Sequence, residues 1–156
     1  MFLLCGISGS CIDVIKEYYY DGGKSGKLKT DQQYLEDMIE FTEGYKIREV
    51  ICDPSALSFI TQLRQAGFPV RQAKNDVIDG IRTVARMMDN GELCVHVSCK
   101  NLIRELQSYV WDSKAQARGE DKPLKQDDHG PDSLRYLAFT LFGKGTARAV
   151  NNPFVR

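Results

Sequence analysis

The sequence predicts an α/β domain with a mixed sheet flanked by helices, and three observations carry that prediction. Two β-rich runs at the start, Phe2 to Ile7 and Cys11 to Tyr20, are separated by the turn composition Ser8-Gly9-Ser10, so they read as an antiparallel hairpin. Short apolar runs then alternate with stretches of helical spacing, a layout that favours parallel pairing through helical crossovers. With 156 residues, 42% of them hydrophobic and 27% charged, the chain can bury one core without disulfides or a structural metal.

The elements follow in chain order. Residues 21–29, DGGKSGKLK, have the composition of a flexible basic loop. Thr30 with Gln33 three residues later is a capping-box signal, and Tyr34, Met38, Ile39 and Phe41 continue it as a helix over about 31–43 with an acidic outer face. Arg48 to Cys52 is a short strand ending in Asp53, after which Pro54 opens a helix that carries Leu57, Ile60 and Leu63 toward Gly67. Phe68 to Ala73 is the next strand. Val77, Ile78, Ile81, Val84, Ala85 and Met88 then form an apolar stripe on a helix that stops near Asn90-Gly91. Leu93 to Val97 is a further strand, and Leu102, Ile103, Leu106, Tyr109 and Val110 make an amphipathic helix. The polar stretch Asp112 to Asp128 is long for a loop in a compact domain, and loops of that length are usually functional or disordered. Leu134, Leu137, Ala138, Leu141 and Phe142 mark a last helix. The domain is thus expected to span 1–143, with 144–156 as a basic tail.

Composition excludes several function classes. Lys and Arg together number 21 and so do Asp and Glu, so bulk charge does not announce a nucleic-acid binder and any such contact must come from local basic clusters. No apolar run approaches the ~20 residues needed to cross a bilayer, and the apolar start lacks the features of a signal peptide. Five cysteines without a CxxC pair read as reduced thiols, and the absence of a P-loop argues against an ATP site on this chain.

Two positions concentrate groups that could do chemistry. Ligands of open α/β sheets gather beyond the carboxyl ends of strands, where Asp53 stands; it is either a helix N-cap before proline or a metal-ligating carboxylate. The string DDHGPDSLRY, residues 127–136, places Asp127, Asp128, His129 and Asp132 before and within a first helical turn. The helix dipole accounts for one acid there, whereas several close carboxylates repel unless a cation relieves them, and hard divalent ions want such oxygens. His129 and Asp132, three apart, would project from the same side of a helix. Lys114, Arg118, Lys122 and Lys125 make the preceding loop basic, and Lys74 follows the strand at 68–73. Basic groups beside a carboxylate cluster suit a phosphodiester substrate, or else simply form a solvated loop. His96 and the run Tyr18 to Tyr20 read as packing residues.

With those residues in hand, the chain resembles the nuclease domain of phage terminase large subunits. The resemblance runs through DVIKEYYYDGGKSGKLKTDQQY, VICDPSALSFITQLRQAGF, AKNDVIDGIRTVARMMDNGEL and YVWDSKAQARGEDKPLKQDDHGPDSLRYLAF. The last is the most specific: a basic PxK segment leads into DH, two residues, then D and an RY pair. The resemblance implies a ribonuclease H-like fold and a two-metal site (Mg or Mn) that cuts double-stranded DNA during DNA packaging, in the cytoplasm of a bacterial host. It assigns Asp53, Asp132 and His129 to catalysis, with Asp53, Asp132 and Asp128 holding metal and Lys122 and Lys125 holding DNA; Lys74 is added as a DNA contact from its place at the end of the strand 68–73. It further implies the terminase small subunit and the portal as partners, and no membrane.

The sequence departs from that family in one respect. The family's first, central strand, with its acidic ligand in an Asp-x-Gly context, has no counterpart ahead of FLLCGIS. Loss of a central strand uncovers the ladder groups of its neighbours, which leads to the expectation of homo-oligomerisation or a rearranged sheet and of weak or absent cleavage. The alternative to an active nuclease domain is therefore a truncated, non-catalytic prophage remnant that self-associates. A resolvase-type nuclease on the same fold ranks below both, for want of basic charge.

Overall fold

The opening hairpin forms as its turn composition requires. Strands β1 (Phe2–Ser8) and β2 (Cys11–Tyr18) pair antiparallel around Gly9, whose φ of 58° lies in the left-handed region that favours glycine. The register shifts between Leu4 and Cys5, which pair with Lys16 and Val14, so Ile15 is the extra residue of a bulge. This computed structural model describes residues 1–143; the expected basic tail, 144–156, lies outside them.

Beyond the hairpin, one short turn of helix, α1 (Gly22–Ser25), stands where a loop was expected. Helix α2 (Asp31–Phe41) starts at the capping box: Gln33 N–H donates to the Thr30 hydroxyl at 3.3 Å, and Thr30 N–H donates to Gln33 Oε1 at 2.9 Å. Strand β3 (Val50–Cys52), helix α3 (Leu57–Gln65) and strand β4 (Val70–Gln72) form a βαβ unit with β3 and β4 parallel. Helix α3 begins three residues later than Pro54 suggested. The Asp53 carboxylate accepts the Ser55 N–H at 2.8 Å, which closes a turn over 53–55 and leaves Ala56 at the N-cap. The N-cap reading of Asp53 is therefore corrected.

Helix α4 (Val77–Asp89) is capped by Asp76, whose side chain accepts from Asp79 N–H at 3.0 Å. Its fully buried line is Gly80, Thr83 and Met87; of the expected stripe Val77, Ile78, Ile81 and Val84 are half-buried, whereas Ala85 and Met88 are exposed. The reason is the neighbour: bare Gly80 admits the stem of Arg135 from the last helix, and that approach sets which line faces inward. Strand β5 (Leu93–Val95) pairs parallel with β2, helix α5 (Lys100–Ser108) follows, and the long polar stretch contains only α6 (Ser113–Gln116) and one bridge, Trp111 to Pro123. Helix α7 (His129–Phe142) closes the described chain.

Two cores result from the alternation of strand faces. Ile12, Val14 and Leu93 pack with Met87, Cys99, Leu102, Leu134 and Ala138 of the α4, α5 and α7 side. Leu4 packs instead with Leu35, Met38, Phe41 and Leu63, backed by Phe2, Val50 and Val70, on the α2 and α3 side. Each fully buried aliphatic side chain contributes roughly 1.5–3 kcal/mol relative to exposure. The strands fall into two sheets, β1-β2-β5 and β3-β4. A cleft of about 1040 Å³ is lined by all but the last residue of β1, by the whole of β3, and by Tyr136, Leu137, Leu141 and Phe142 of α7. β1 stands at the end of its sheet and β3 has one strand neighbour, so two strand edges meet this cleft without a ladder between them.

Candidate active site

Asp53 stands at the carboxyl end of β3, and the structure ties it directly to α7. Its Oδ2 accepts the Tyr136 hydroxyl at 2.7 Å, and its Oδ1 accepts both the N–H and the hydroxyl of Ser55 at 2.8 Å. Burial pushes the Asp53 carboxyl up, but the Ser55 N–H, the Tyr136 and Ser55 hydroxyls and the nearby Arg135 more than offset it, leaving the group below its ordinary value. Tyr136 responds in the opposite sense: burial first and the bond to Asp53 second raise its phenol to about 12.

One turn earlier on the same helix stands Asp132. Its Oδ1 accepts from Arg135 Nη2 at 3.0 Å and Nε at 3.3 Å, and its Oδ2 lies 3.3 Å from Lys125 Nζ. Lys125 also lies 3.2 Å from Asp128 Oδ2, so one ammonium bridges two carboxylates. Burial works against the Lys125 charge, yet the bonds to Asp128 and Asp132 dominate and raise its value. Asp127 adopts a φ of 49°, the tight turn before α7 that an aspartate tolerates, and Asp128 rather than Asp127 faces the bridging lysine.

The convergence is only partial. Asp53, Tyr136, Arg135, Asp132, Lys125 and Asp128 form one connected chain, joined by hydrogen bonds and ion pairs except between Tyr136 and Arg135, where the guanidinium lies over the ring. His129, in the first turn of the same helix, has its ring centroid 6.5 Å from that of Tyr19. Lys122 is paired with Glu120 at 2.5 Å. Lys74, beyond the end of β4, donates its N–H to the Thr140 hydroxyl at 2.9 Å and holds its ammonium 5.6 Å from the Phe139 ring centroid.

Two residues of this arrangement had no role in the sequence reading beyond the RY pair. Arg135 is 2% exposed, and besides Asp132 it donates to the Asp76 carbonyl at 3.3 Å and lies 4.6 Å from the Tyr136 ring centroid. Tyr136 sits four residues after Asp132, a spacing that places both on one helix face and could have flagged it. The carboxylates have the chemistry of hard-cation donors, but they do not assemble a metal site as they stand. Asp53 spends both oxygens on hydroxyls and an N–H, Asp128 and Asp132 are neutralised by Lys125 and Arg135, and no group of three His, Cys, Asp or Glu among the described residues is placed to hold an ion.

Comparison with known proteins agrees with this architecture. The large terminase of a thermophilic bacteriophage, solved in complex with ATP-gamma-S, superposes with a TM-score of 0.87 at 48% identity, covering 91% of this chain and 36% of that one. The same terminase in complex with ADP gives a TM-score of 0.85 at 50% identity, over 89% and 36% of the two chains. The large subunit of the terminase of Escherichia phage T5 is 28% identical over 120 residues, 72% of this chain and 27% of that protein. This chain therefore spans about a third or less of the length of those relatives. The small sheets flanked by helices, one mixed and one parallel, are a ribonuclease H-like fold of the terminase kind. The profile of the family described as Terminase RNaseH-like domain matches residues 29–140, and the chain belongs to that family.

Proposed function

We propose that this chain is the nuclease part of a DNA-packaging terminase large subunit and that its substrate is double-stranded DNA. The observation that carries this reading is the Tyr136 to Asp53 bond, which joins the carboxyl end of β3 to α7 one turn past Asp132. Residues 53 and 132, far apart in sequence, thus belong to one polar surface. In this reading Asp53, Asp128 and Asp132 supply oxygen donors for divalent ions, Mg or Mn, and His129 stands by the same helix end as a proton-transfer group. Lys74, Lys122 and Lys125 contact phosphates, Lys125 exchanging its carboxylate partners for a phosphate. The terminase small subunit and the portal are the partners proposed for the whole protein, in the host cytoplasm; no described helix is long and apolar enough to cross a membrane.

The donors present do not close a metal site, so cleavage requires a further acid beside Asp53. A second reading, a non-catalytic chain that self-associates, draws on the cleft between β1 and β3, because unpaired strand edges recruit other strands. Incubating the chain and its Asp53→Ala variant with supercoiled plasmid and Mn²⁺ separates the two. Nicking by the parent that vanishes in the variant supports the nuclease reading for this chain as it stands. No nicking, together with a sedimentation coefficient that rises with concentration, supports the second.

A further inference from the structure

We infer that Glu105 is a positioning residue: it caps α7 from outside, so that Asp128, at the helix's own capping position, keeps its carboxylate for the site. The first turn of a helix leaves backbone N–H groups without partners, and an aspartate at the N-cap is among the best side chains for satisfying them. Asp128 occupies that position and makes no capping bond; its carboxylate goes to Lys125. The Gly130 N–H donates instead to Glu105 Oε2 of α5, at 2.6 Å. Glu105 is 0% exposed, and burying a carboxylate is unfavourable enough that an apolar residue would serve packing better.

The surroundings fit a charge aimed at this turn. Glu105 Oε1 makes no hydrogen bond among the described residues and has the Arg104 guanidinium at 3.6 Å. The Tyr19 hydroxyl, raised to about 12 by burial and by Glu105, and the Met1 amine are its other polar neighbours. The helices approach closely at this point: a Cβ on Gly130 would stand 2.9 Å from Leu102 Cδ1 and 3.1 Å from Glu105 Oε2. Helix α5 makes the instructive contrast. Glu17 caps it from β2, accepting from Asn101 N–H at 2.9 Å and Leu102 N–H at 2.8 Å, but its N-cap is Cys99, which has no carboxylate to offer. There the borrowed cap fills a deficiency, whereas at α7 an aspartate is in place and is left unused.

The capping stands on geometry alone; its value for the site rests on the reading of Asp128 as a site residue. A double-mutant cycle in the 156-residue chain tests it. Asp128→Ala alone should barely move the thermal midpoint, because Asp128 does not cap. In a Glu105→Ala background Asp128 is free to swing onto its own helix, and Asp128→Ala should then lower the midpoint by about 2–4 °C, the worth of one cap. Glu105→Gln keeps an acceptor for Gly130, so Asp128→Ala should again be silent there. The Gly130 amide proton should move upfield in Glu105→Gln, where an amide oxygen replaces the carboxyl acceptor, which keeps the test available should Glu105→Ala fail to fold. Additive effects of Glu105→Ala and Asp128→Ala, or a Gly130 amide unmoved by Glu105→Gln, would overturn the inference. None of these readouts depends on cleavage, so failure of the nuclease reading would leave the outcome legible.

Discussion

Replacing Gly80 by alanine should destabilise the domain, although it removes a glycine from a helix interior. Helix propensity alone favours alanine by about 1 kcal/mol. Against this, a Cβ at position 80 would stand 2.5 Å from Arg135 Cγ and 2.8 Å from Cδ, well inside the ~3.5–4.0 Å of a normal carbon contact. Arg135 has little freedom to move aside. It is 2% exposed, and its guanidinium is anchored by Asp132, the Asp76 carbonyl and the face of Tyr136. Forcing α4 and α7 apart costs about 1–3 kcal/mol as overpacking. Expelling Arg135 instead costs part of the roughly 3–5 kcal/mol of a broken buried ion pair, reduced because Asp132 is 19% exposed and keeps Lys125. Net of propensity, Gly80→Ala should lower unfolding stability by up to about 2 kcal/mol in urea titrations. In an Arg135→Ala background the space is open, and the same substitution should become stabilising by up to about 1 kcal/mol. The sign reversal is the test: equal effects in both backgrounds, or stabilisation of the parent chain, would refute the idea that Gly80 exists to admit Arg135.

Two further predictions concern titration and reactivity. Tyr19 and Tyr136, both raised to about 12, should appear as a late-ionising class in an alkaline absorbance titration of the folded chain, and Tyr136→Phe should remove one of them. For Tyr136 the raised value means stability that is present below the ordinary value of 10 and lost as pH climbs through about 12, so the variant should show a shallower alkaline loss of stability; simultaneous ionisation of all tyrosines near 10 in the folded state would contradict this. With all five cysteines free, iodoacetamide near neutral pH should modify exposed Cys94 first and leave Cys5, whose thiol burial pushes to about 12, and buried Cys99 unmodified until the protein unfolds. Mass spectrometry of the labelled chain reads the order, and early labelling of Cys5 would show that the hairpin side of the core opens readily.

Elements whose signals are local were legible in the sequence. The hairpin follows from Ser8-Gly9-Ser10, α2 from Thr30 and Gln33, and the end of α4 from Asn90-Gly91, because turns and caps are bonds between residues a few positions apart. The sequence also singled out Asp53, Asp128 and Asp132, since strand ends and acidic helix starts are visible as patterns. What those groups touch depends on how distant segments pack. The bond from Tyr136 to Asp53 spans 83 positions, that from Gly130 to Glu105 spans 25, and neither leaves a periodicity to read. The same holds for the face of α4, where apolar spacing ran the stripe through exposed Ala85 and Met88 and close packing of Arg135 on Gly80 set the fully buried line. Glu105 passed as one more polar residue on an amphipathic helix, because a one-dimensional pattern records how polar a side chain is and not whether a neighbouring helix start will bury it.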